Sequence, residues 1–414
     1  MISKLPAICV LTTSTTVHQM GGTEVHAETL AKAAAGKGHT VTLVTTAHPL
    51  GLGSETKDGY ETIYIPGTNF SMSRNWLSAW WLKSAAKLME LGNKGLIDVV
   101  WSENCTGQYY AGLAGPGKKP LISILNGPPV LGELQNHWAQ VNSPAALGYF
   151  LGHSVPQIMF YTLPWLRKMA ERADFLVAVS EYCEEEMKKE FSACRGKIKT
   201  IYNPVDTALF RPDSEARRAA RQRYGLEPLA PVLAMSGVLQ KQKGMAVGLK
   251  AFRLIKTSRP DTKLLIAGDG PELENLKRQA AALGLGQAVI FCGRIENSAM
   301  NLFYNAADIY INPTLRHEGL AIVILEAMAC GLPGVISKIG GTASTIDDGQ
   351  CGFFVKPGKH AEIAAKTLLL LEDENLRKTM GGNARKKVLE FFRLDEIIRQ
   401  YLDISLTLTR GTNA

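Results

Sequence analysis

Ala7-Ile8-Cys9-Val10-Leu11-Thr12, then Gly21-Gly22-Thr23-Glu24, then a helical stretch over residues 25–37, then Val41-Thr42-Leu43-Val44-Thr45 set the architecture of this chain. The first and last segments are short apolar runs of strand character. The stretch between them is ended by Gly36 and Gly38. Strand, helix and strand in this order imply a parallel βαβ unit with a right-handed crossover.

The alternation continues outward. Further strands are expected at 61–66, 98–102, 121–125, 175–179 and 199–201. A proline-rich connector follows, Asn203-Pro204-Val205-Asp206 and Phe210-Arg211-Pro212, which disfavours helix on either side. Strands then recur at 231–236, 263–267, 289–291, 309–312, 334–336 and 353–355, with helices between them such as 272–283. The expectation is α/β: an N-terminal domain over 1–203 and a second domain over 204–391. A C-terminal helical segment, 392–414, is expected to cross back to the first domain. In open parallel sheets ligands bind beyond the carboxyl ends of the strands, so function is sought in the loops that follow them.

Composition narrows the classes. The chain has 414 residues with 46% hydrophobic and 20% charged, an ordinary globular balance. Its net charge of +8 is uneven: 18 Lys+Arg face 16 Asp+Glu up to Val205, and 28 face 22 from Asp206 onward. A basic second half suits an anionic ligand such as a nucleotide, or solvated helix faces. The seven cysteines form no C-x-x-C pair and fit neither a zinc site nor a disulfide framework, which suggests a reducing compartment. Residues 144–166 are apolar but carry His153, Pro156, Gln157 and Pro164, so they are not read as a membrane span. The expected location is cytoplasmic.

The segment richest in chemistry is His317-Glu318-Gly319-Leu320-Ala321-Ile322-Val323-Ile324-Leu325-Glu326-Ala327-Met328-Ala329-Cys330-Gly331-Leu332-Pro333. A helix is expected over 320–330, stopped by Gly331 and Pro333. Glu318 falls in the loop before it. Glu326 falls inside an apolar run, where a carboxylate needs hydrogen-bond donors: ribose hydroxyls, or a neighbouring protein group. The helix start beside Glu318 offers N–H groups to a phosphate.

Glu, seven residues, Glu, then Ala-Met-Ala-Cys-Gly-x-Pro is similar to the donor-site signature of family 4 of the retaining glycosyltransferases, which have the GT-B fold. That fold has two Rossmann-like, doubly wound domains facing each other across a cleft. Gly21-Gly22-Thr23-Glu24 resembles the family's glycine-rich loop. Val177-Ala178-Val179-Ser180-Glu181 and Ile201-Tyr202-Asn203-Pro204-Val205-Asp206 resemble its interdomain approach, and Leu264-Leu265-Ile266-Ala267-Gly268-Asp269-Gly270-Pro271 its second-domain strand and turn.

The resemblance implies sugar transfer from a nucleotide-sugar, UDP- or GDP-linked, with retention at the anomeric carbon. By that pattern Glu326 holds the ribose and Glu318 the transferred sugar. The backbone of Gly319, Leu320, Ala321 and Ile322 supports sugar or diphosphate. Lys243 pairs with the diphosphate, and Gly21, Gly22 and Gly237 line the donor. The resemblance further implies that 1–203 is the acceptor-side domain and 204–391 the nucleotide-sugar-binding domain, the acceptor being a cell-envelope glycolipid or polysaccharide. No cofactor or metal is implied, and no Asp-x-Asp motif stands in a suitable loop.

Four positions depart from the family pattern. Val238 stands where an Arg is usual, with Lys241, Arg294 and Arg316 as candidate substitutes. Asn126 replaces a catalytic His, Ala321 a Gly and Ser344 a Glu. Two alternatives remain open: a GT-B nucleotide-sugar epimerase, and a non-catalytic nucleotide-sugar or glycan-binding protein.

Weaker signals complete the reading. His26 reads as a helix residue or a cleft-lining one. Trp76 and Trp80, with Arg74 and Lys83 flanking, suit either a helix on a membrane surface or one packed on the protein. Such a contact would be peripheral, on the inner face of the cell membrane. Arg217, Arg218, Arg221 and Arg223 form a basic helical face that suits phosphate or solvent. Nothing in the pattern supports nucleic-acid binding.

Overall fold

The computed structural model describes residues 5–19, 21–70, 78–141 and 143–411. The chain divides into two compact units, Met1–Pro204 with Leu394–Ala414, and Val205–Arg393.

In the first unit the strands are β1 (Ile8–Leu11), β2 (Val41–Thr46), β3 (Ser54–Lys57), β4 (Tyr60–Ile65), β5 (Val99–Glu103), β6 (Leu121–Leu125), β7 (Phe175–Ala178) and β8 (Ile198–Thr200). Among the described residues they form one sheet in the order β3-β4-β2-β1-β5-β6-β7-β8. All neighbours are parallel except β3, which pairs antiparallel with β4. Ile8 sits opposite Val41 on one side and Val99 on the other. Every residue of β1, β2, β5 and β6 is buried, as expected of strands covered on both faces by crossover helices.

The second unit holds β9 (Val232–Ser236), β10 (Lys263–Ala267), β11 (Val289–Gly293), β12 (Ile309–Asn312), β13 (Gly334–Ser337) and β14 (Gly352–Val355). Its order is β11-β10-β9-β12-β13-β14, parallel throughout. Leu233, Met235, Leu264, Ile266, Ile309, Ile311 and Val335 from these strands are fully or almost fully buried. They pack with Leu249, Phe252 and Ile255 of the helix Met245–Ser258 and with Ile363 and Leu370 of the helix His360–Glu372.

The last helix, Leu394–Gly411, belongs to the first unit. Trp101 of β5 donates from Nε1 to Ser405 Oγ at 2.9 Å, and its ring meets that of Tyr401 at 5.3 Å.

Several readings change in the structure. Trp80 is fully buried and Trp81 nearly so, the latter edge-on to Trp165 at 4.6 Å. Trp80 therefore serves the core rather than a membrane surface; Trp76 lies outside the described residues. The basic helix face is divided: Arg218 and Arg223 are exposed, as the solvated reading expects, whereas Arg217 and Arg221 turn inward. Arg217 donates to the carbonyls of Asn305 and Ala307 and pairs with Asp308 at 2.7 Å. Arg221, 5% exposed, donates to the carbonyls of Ala306, Glu227 and Ala230. The Arg217 and Arg221 guanidiniums tie the helix Ser214–Arg223 to the chain before β12, so for these two neither solvation nor phosphate binding is the main role.

Residues 144–172 are helical, in α-helical pieces separated by wider turns at Phe150–Ser154 and Ile158–Thr162. Such turns suit a helix carrying Pro156 and Pro164, which lack the N–H of the ordinary ladder. No helix among the described residues is long and apolar enough to cross a membrane.

Candidate functional site

In the second unit the strand order reverses between β9 and β12, the place where open parallel sheets take ligands. Two loops leave the carboxyl ends of these strands, 237–244 and 313–321. They are tied together. Leu315 N donates to Gln242 O at 2.8 Å. Gly244 has φ +70°, and a Cβ there would collide with the Pro313 carbonyl, so a glycine permits the two loops to touch.

This contact brings Lys243 to Glu318. Lys243 Nζ donates to Glu318 Oε1 at 2.7 Å, and Thr314 Oγ1 donates to the same oxygen at 3.1 Å. The Glu318 backbone is anchored separately, its carbonyl accepting from Gly341 N at 2.8 Å beyond β13. Burial pushes the Glu318 carboxyl up, but Lys243, Arg316 and the Thr314 hydroxyl together outweigh it and hold the group below the usual carboxylate range. The Lys243 side chain keeps 25% of its surface and Glu318 13%. The pair is charged, largely desolvated and still open to a ligand.

Glu326 sits in the helix Ile322–Ala329, 4% exposed. It accepts from Tyr304 Oη at 2.8 Å and Asn297 Nδ2 at 3.1 Å. Tyr304 Oη in turn lies 3.2 Å from Ser236 Oγ, which lies 3.0 Å from Tyr310 Oη. Among the described residues no cation pairs with Glu326. Burial therefore pushes its carboxyl up to about 7, with the Tyr304 and Asn297 bonds opposing the shift. Of the two glutamates, one is paired with a lysine and the other is held only by neutral donors.

Between them the chain turns through Gly319, Leu320 and Ala321 into the helix. Ala321 is the residue before its first turn, in extended conformation, and no side chain caps it. Leu320 and Ala321 are buried. Gly237 follows β9 with φ +138° and donates from N to Ala267 O at 3.0 Å, so the end of β9 packs on that of β10. Of the cations weighed against Val238, Lys241 and Arg294 are exposed, and Arg316 is the one whose charge acts on Glu318.

Gly21, Gly22 and Asn126 belong to the first unit. Gly21 precedes the helix Gly22–Gly36. Glu24, 4% exposed, accepts from Ser14 Oγ and from Gln19 Nε2 at 2.7 Å, which folds the loop after β1 onto the helix start. Asn126 follows β6; its N donates to Asn104 Oδ1 at 3.1 Å and its Nδ2 to Glu103. His26, expected on an ordinary helix face or lining a cleft, is buried and lies 2.9 Å from Glu103 Oε1.

The family described as glycosyl transferases group 1 matches residues 216–387, and glycosyltransferase family 4 matches residues 20–209. The chain belongs to the family 4, group 1 glycosyltransferases. The two glutamates stand on either side of the start of one helix, and Lys243 from the loop after β9 reaches the first of them.

This family 4 chain is 33% identical over 231 residues to a GDP-mannose-dependent alpha-(1-6)-phosphatidylinositol monomannoside mannosyltransferase of Mycolicibacterium smegmatis. The match spans 54% of this chain and 60% of that protein. Across nearly all of its length the fold is that of sucrose-phosphate synthase from Thermosynechococcus elongatus, with a TM-score of 0.80, 20% identity and coverage of 98% and 100% of the two chains. Anabaena HepE, solved with UDP and glucose, superposes with a TM-score of 0.74 at 20% identity, covering 97% and 100%. Two Rossmann-like units of this kind are the GT-B architecture.

Sequence reasoning did not single out Glu103, Asn297, Tyr304 or Ser236. Glu103 carried a legible signal: a charge closing the strand run Val99-Val100-Trp101-Ser102. The other three are ordinary polar residues whose convergence on Glu326 depends on tertiary packing.

Proposed function

We propose that the protein is a retaining glycosyltransferase that moves a sugar from a UDP- or GDP-linked donor to a hydroxyl of a cell-envelope glycolipid or polysaccharide. The observation that carries this reading is the Lys243–Glu318 pair at the β9/β12 switch point. It sets a cation for a diphosphate beside a carboxylate for sugar hydroxyls. Glu326 takes the two ribose hydroxyls, whose donors supplement or replace Asn297. The first N–H groups of the helix Ile322–Ala329 face the diphosphate. Lys243 neutralises charge on the leaving group as the glycosidic bond breaks.

In the retaining reaction the acceptor hydroxyl attacks from the face that the diphosphate leaves, and the departing phosphate oxygen takes its proton. No protein nucleophile is then required, which accommodates Asn126 in place of a histidine. The reaction takes place in the cytoplasm, with peripheral contact at the inner face of the membrane where a glycolipid acceptor resides.

A thermal-shift screen with UDP-, GDP-, ADP- and TDP-sugars tests the donor. A ligand at 100 times its Kd stabilises by about 2.7 kcal/mol, so one base class should raise Tm clearly and the others should not. No response to any nucleotide-sugar contradicts the reading.

Two further results are expected. Transfer should survive EDTA, because Lys243 and the helix start supply the positive charge; loss on chelation with recovery on adding Mg²⁺ or Mn²⁺ would overturn that assignment. Lys243→Ala should lower kcat/KM by about 10–100-fold, the worth of a charge-assisted phosphate bond of about 1.5–3 kcal/mol. Lys241→Ala, at an exposed position, should stay within about twofold by steady-state kinetics.

A further inference from the structure

At the carboxyl ends of β5 and β6 three polar side chains from separate elements converge. Glu103 closes β5 with no exposed surface, His26 of the helix Gly22–Gly36 is 1% exposed, and Asn126 follows β6 at intermediate exposure. Glu103 Oε1 lies 2.9 Å from His26 Nδ1, and Glu103 Oε2 accepts from Asn126 Nδ2. The reading of Asn126 as a ligand contact does not use Glu103 or His26.

The chemistry of Glu103 decides the orientation of its neighbours. A carboxylate is an acceptor at both oxygens, so the amide atom facing it is the NH₂ group and the imidazole nitrogen facing it carries a proton. His26 is thereby the Nδ1–H tautomer. Its Nε2 is buried with no partner among the described residues. An unprotonated Nε2 suits that place, since a buried N–H without an acceptor costs more than a lone pair against apolar atoms. With Nδ2 committed to Glu103, the Asn126 Oδ1 is left pointing away, and it accepts no hydrogen bond among the described residues.

We propose that Glu103, buttressed by His26, is a positioning residue that locks the Asn126 carboxamide with Oδ1 outward, as the acceptor for one hydroxyl of the sugar ligand. The proposal rests on the reading of Asn126 as a sugar contact and adds the polarity of that contact. A histidine in the same place could donate or accept; here the built-in carboxylate permits acceptance only at the outward oxygen. A ligand group that donates, a hydroxyl, is matched. A fluorine or an ether oxygen in its place is not.

Glu103→Gln tests this with little change of shape. A glutamine offers one acceptor and one donor. The acceptor must serve His26 Nδ1–H, because the alternative tautomer would place a proton on the buried, unpartnered Nε2. The donor then faces Asn126, whose amide turns round and presents NH₂ outward.

The experiment uses the full chain, perdeuterated and ¹⁵N-labelled, with the Asn126 side-chain amide assigned as the pair lost in Asn126→Ala. In Glu103→Gln that amide should lose the downfield displacement of a proton bonded to a carboxylate, at unchanged Tm. In kinetics with the accepted nucleotide-sugar, Glu103→Gln and Asn126→Ala should each lower kcat/KM by about tenfold. The double variant should be no worse than Asn126→Ala alone, since both act through one contact. Across a set of deoxyfluoro sugars, one position should be discriminated about tenfold by the parent protein and not by Glu103→Gln.

An unmoved Asn126 amide overturns the proposal, as do losses that multiply in the double variant. A parent protein that transfers no sugar, yet shows the displaced amide and its loss in Glu103→Gln, refutes the transferase reading and leaves the positioning of Asn126 standing.

Discussion

Glu318→Ala is expected to lower kcat by about 10²–10³-fold while leaving the donor KM within about threefold. That is the scale reported by removal of one group that stabilises developing charge at a reacting centre. The reasoning starts from the ion pair. Glu318 is held charged by Lys243, Arg316 and Thr314, and is fixed at its backbone by Gly341 N. In the proposed reaction it is a rigid acceptor for hydroxyls of the sugar being transferred, whose ring flattens and gains positive charge as the bond breaks. A carboxylate there helps more in the transition state than in the bound donor, so its loss falls on kcat. Removing it also frees Lys243 for the diphosphate, which protects KM. Initial-rate kinetics over donor concentration decide it: an unchanged kcat removes Glu318 from the reaction.

Glu326→Gln is expected to act on KM and on stability, with opposite signs. In the proposed function Glu326 accepts from two ribose hydroxyls, and the ribose changes little between bound donor and transition state, so losing that carboxylate removes uniform binding. Donor KM should rise by about 10–100-fold with kcat nearly unchanged. The empty protein should gain stability.

The sign follows from the shift: Glu326 titrates near 7 in the folded chain, above the ordinary value of 4.5. Below pH 4.5 the carboxyl is protonated in both states and contributes no difference. As pH rises from 4.5 to 7 the unfolded chain sheds its proton more readily, so the native state loses stability. The deficit levels off above 7 at about 3 kcal/mol as an upper figure. Glu326→Gln should therefore raise Tm most at pH 8 and least at pH 4.5. Donor affinity of the parent protein should fall below pH 7, where Glu326 becomes protonated, and that dependence should vanish in the variant. Parallel melting curves across this range check the first part. A Tm difference that shrinks with rising pH contradicts it.

Much of this was legible in the chain itself. The expected strands at 121–125, 263–267 and 309–312 coincide with β6, β10 and β12, because buried parallel strands are written as mostly apolar runs, broken here only by Ser123, Lys263 and Asn312. β3 was not foreseen. Ser54-Glu55-Thr56-Lys57 is an exposed edge strand with no apolar pattern, formed by the turn at Asp58-Gly59.

At the site, Glu318, Lys243 and Glu326 were named through the family resemblance, and the structure adds what separates the two glutamates. That difference is tertiary: Lys243 arrives from 75 residues away through the Gly244–Pro313 contact, while Tyr304 and Asn297 arrive on a different helix and loop. The readings left open for Trp80, and those changed for Arg217 and Arg221, share one cause. Trp80, Arg217 and Arg221 have side chains that suit either a surface or an interior, and periodicity does not say which partner the face meets.

The most direct test of the central claim is the product formed from a nucleotide-sugar and an envelope glycolipid acceptor, followed by ¹H NMR of the anomeric proton. The Lys243–Glu318 reading predicts that nucleoside diphosphate is released only when acceptor is present, with the anomeric configuration of the donor retained in the product. Conversion of the donor without acceptor, or an inverted anomer, would contradict it.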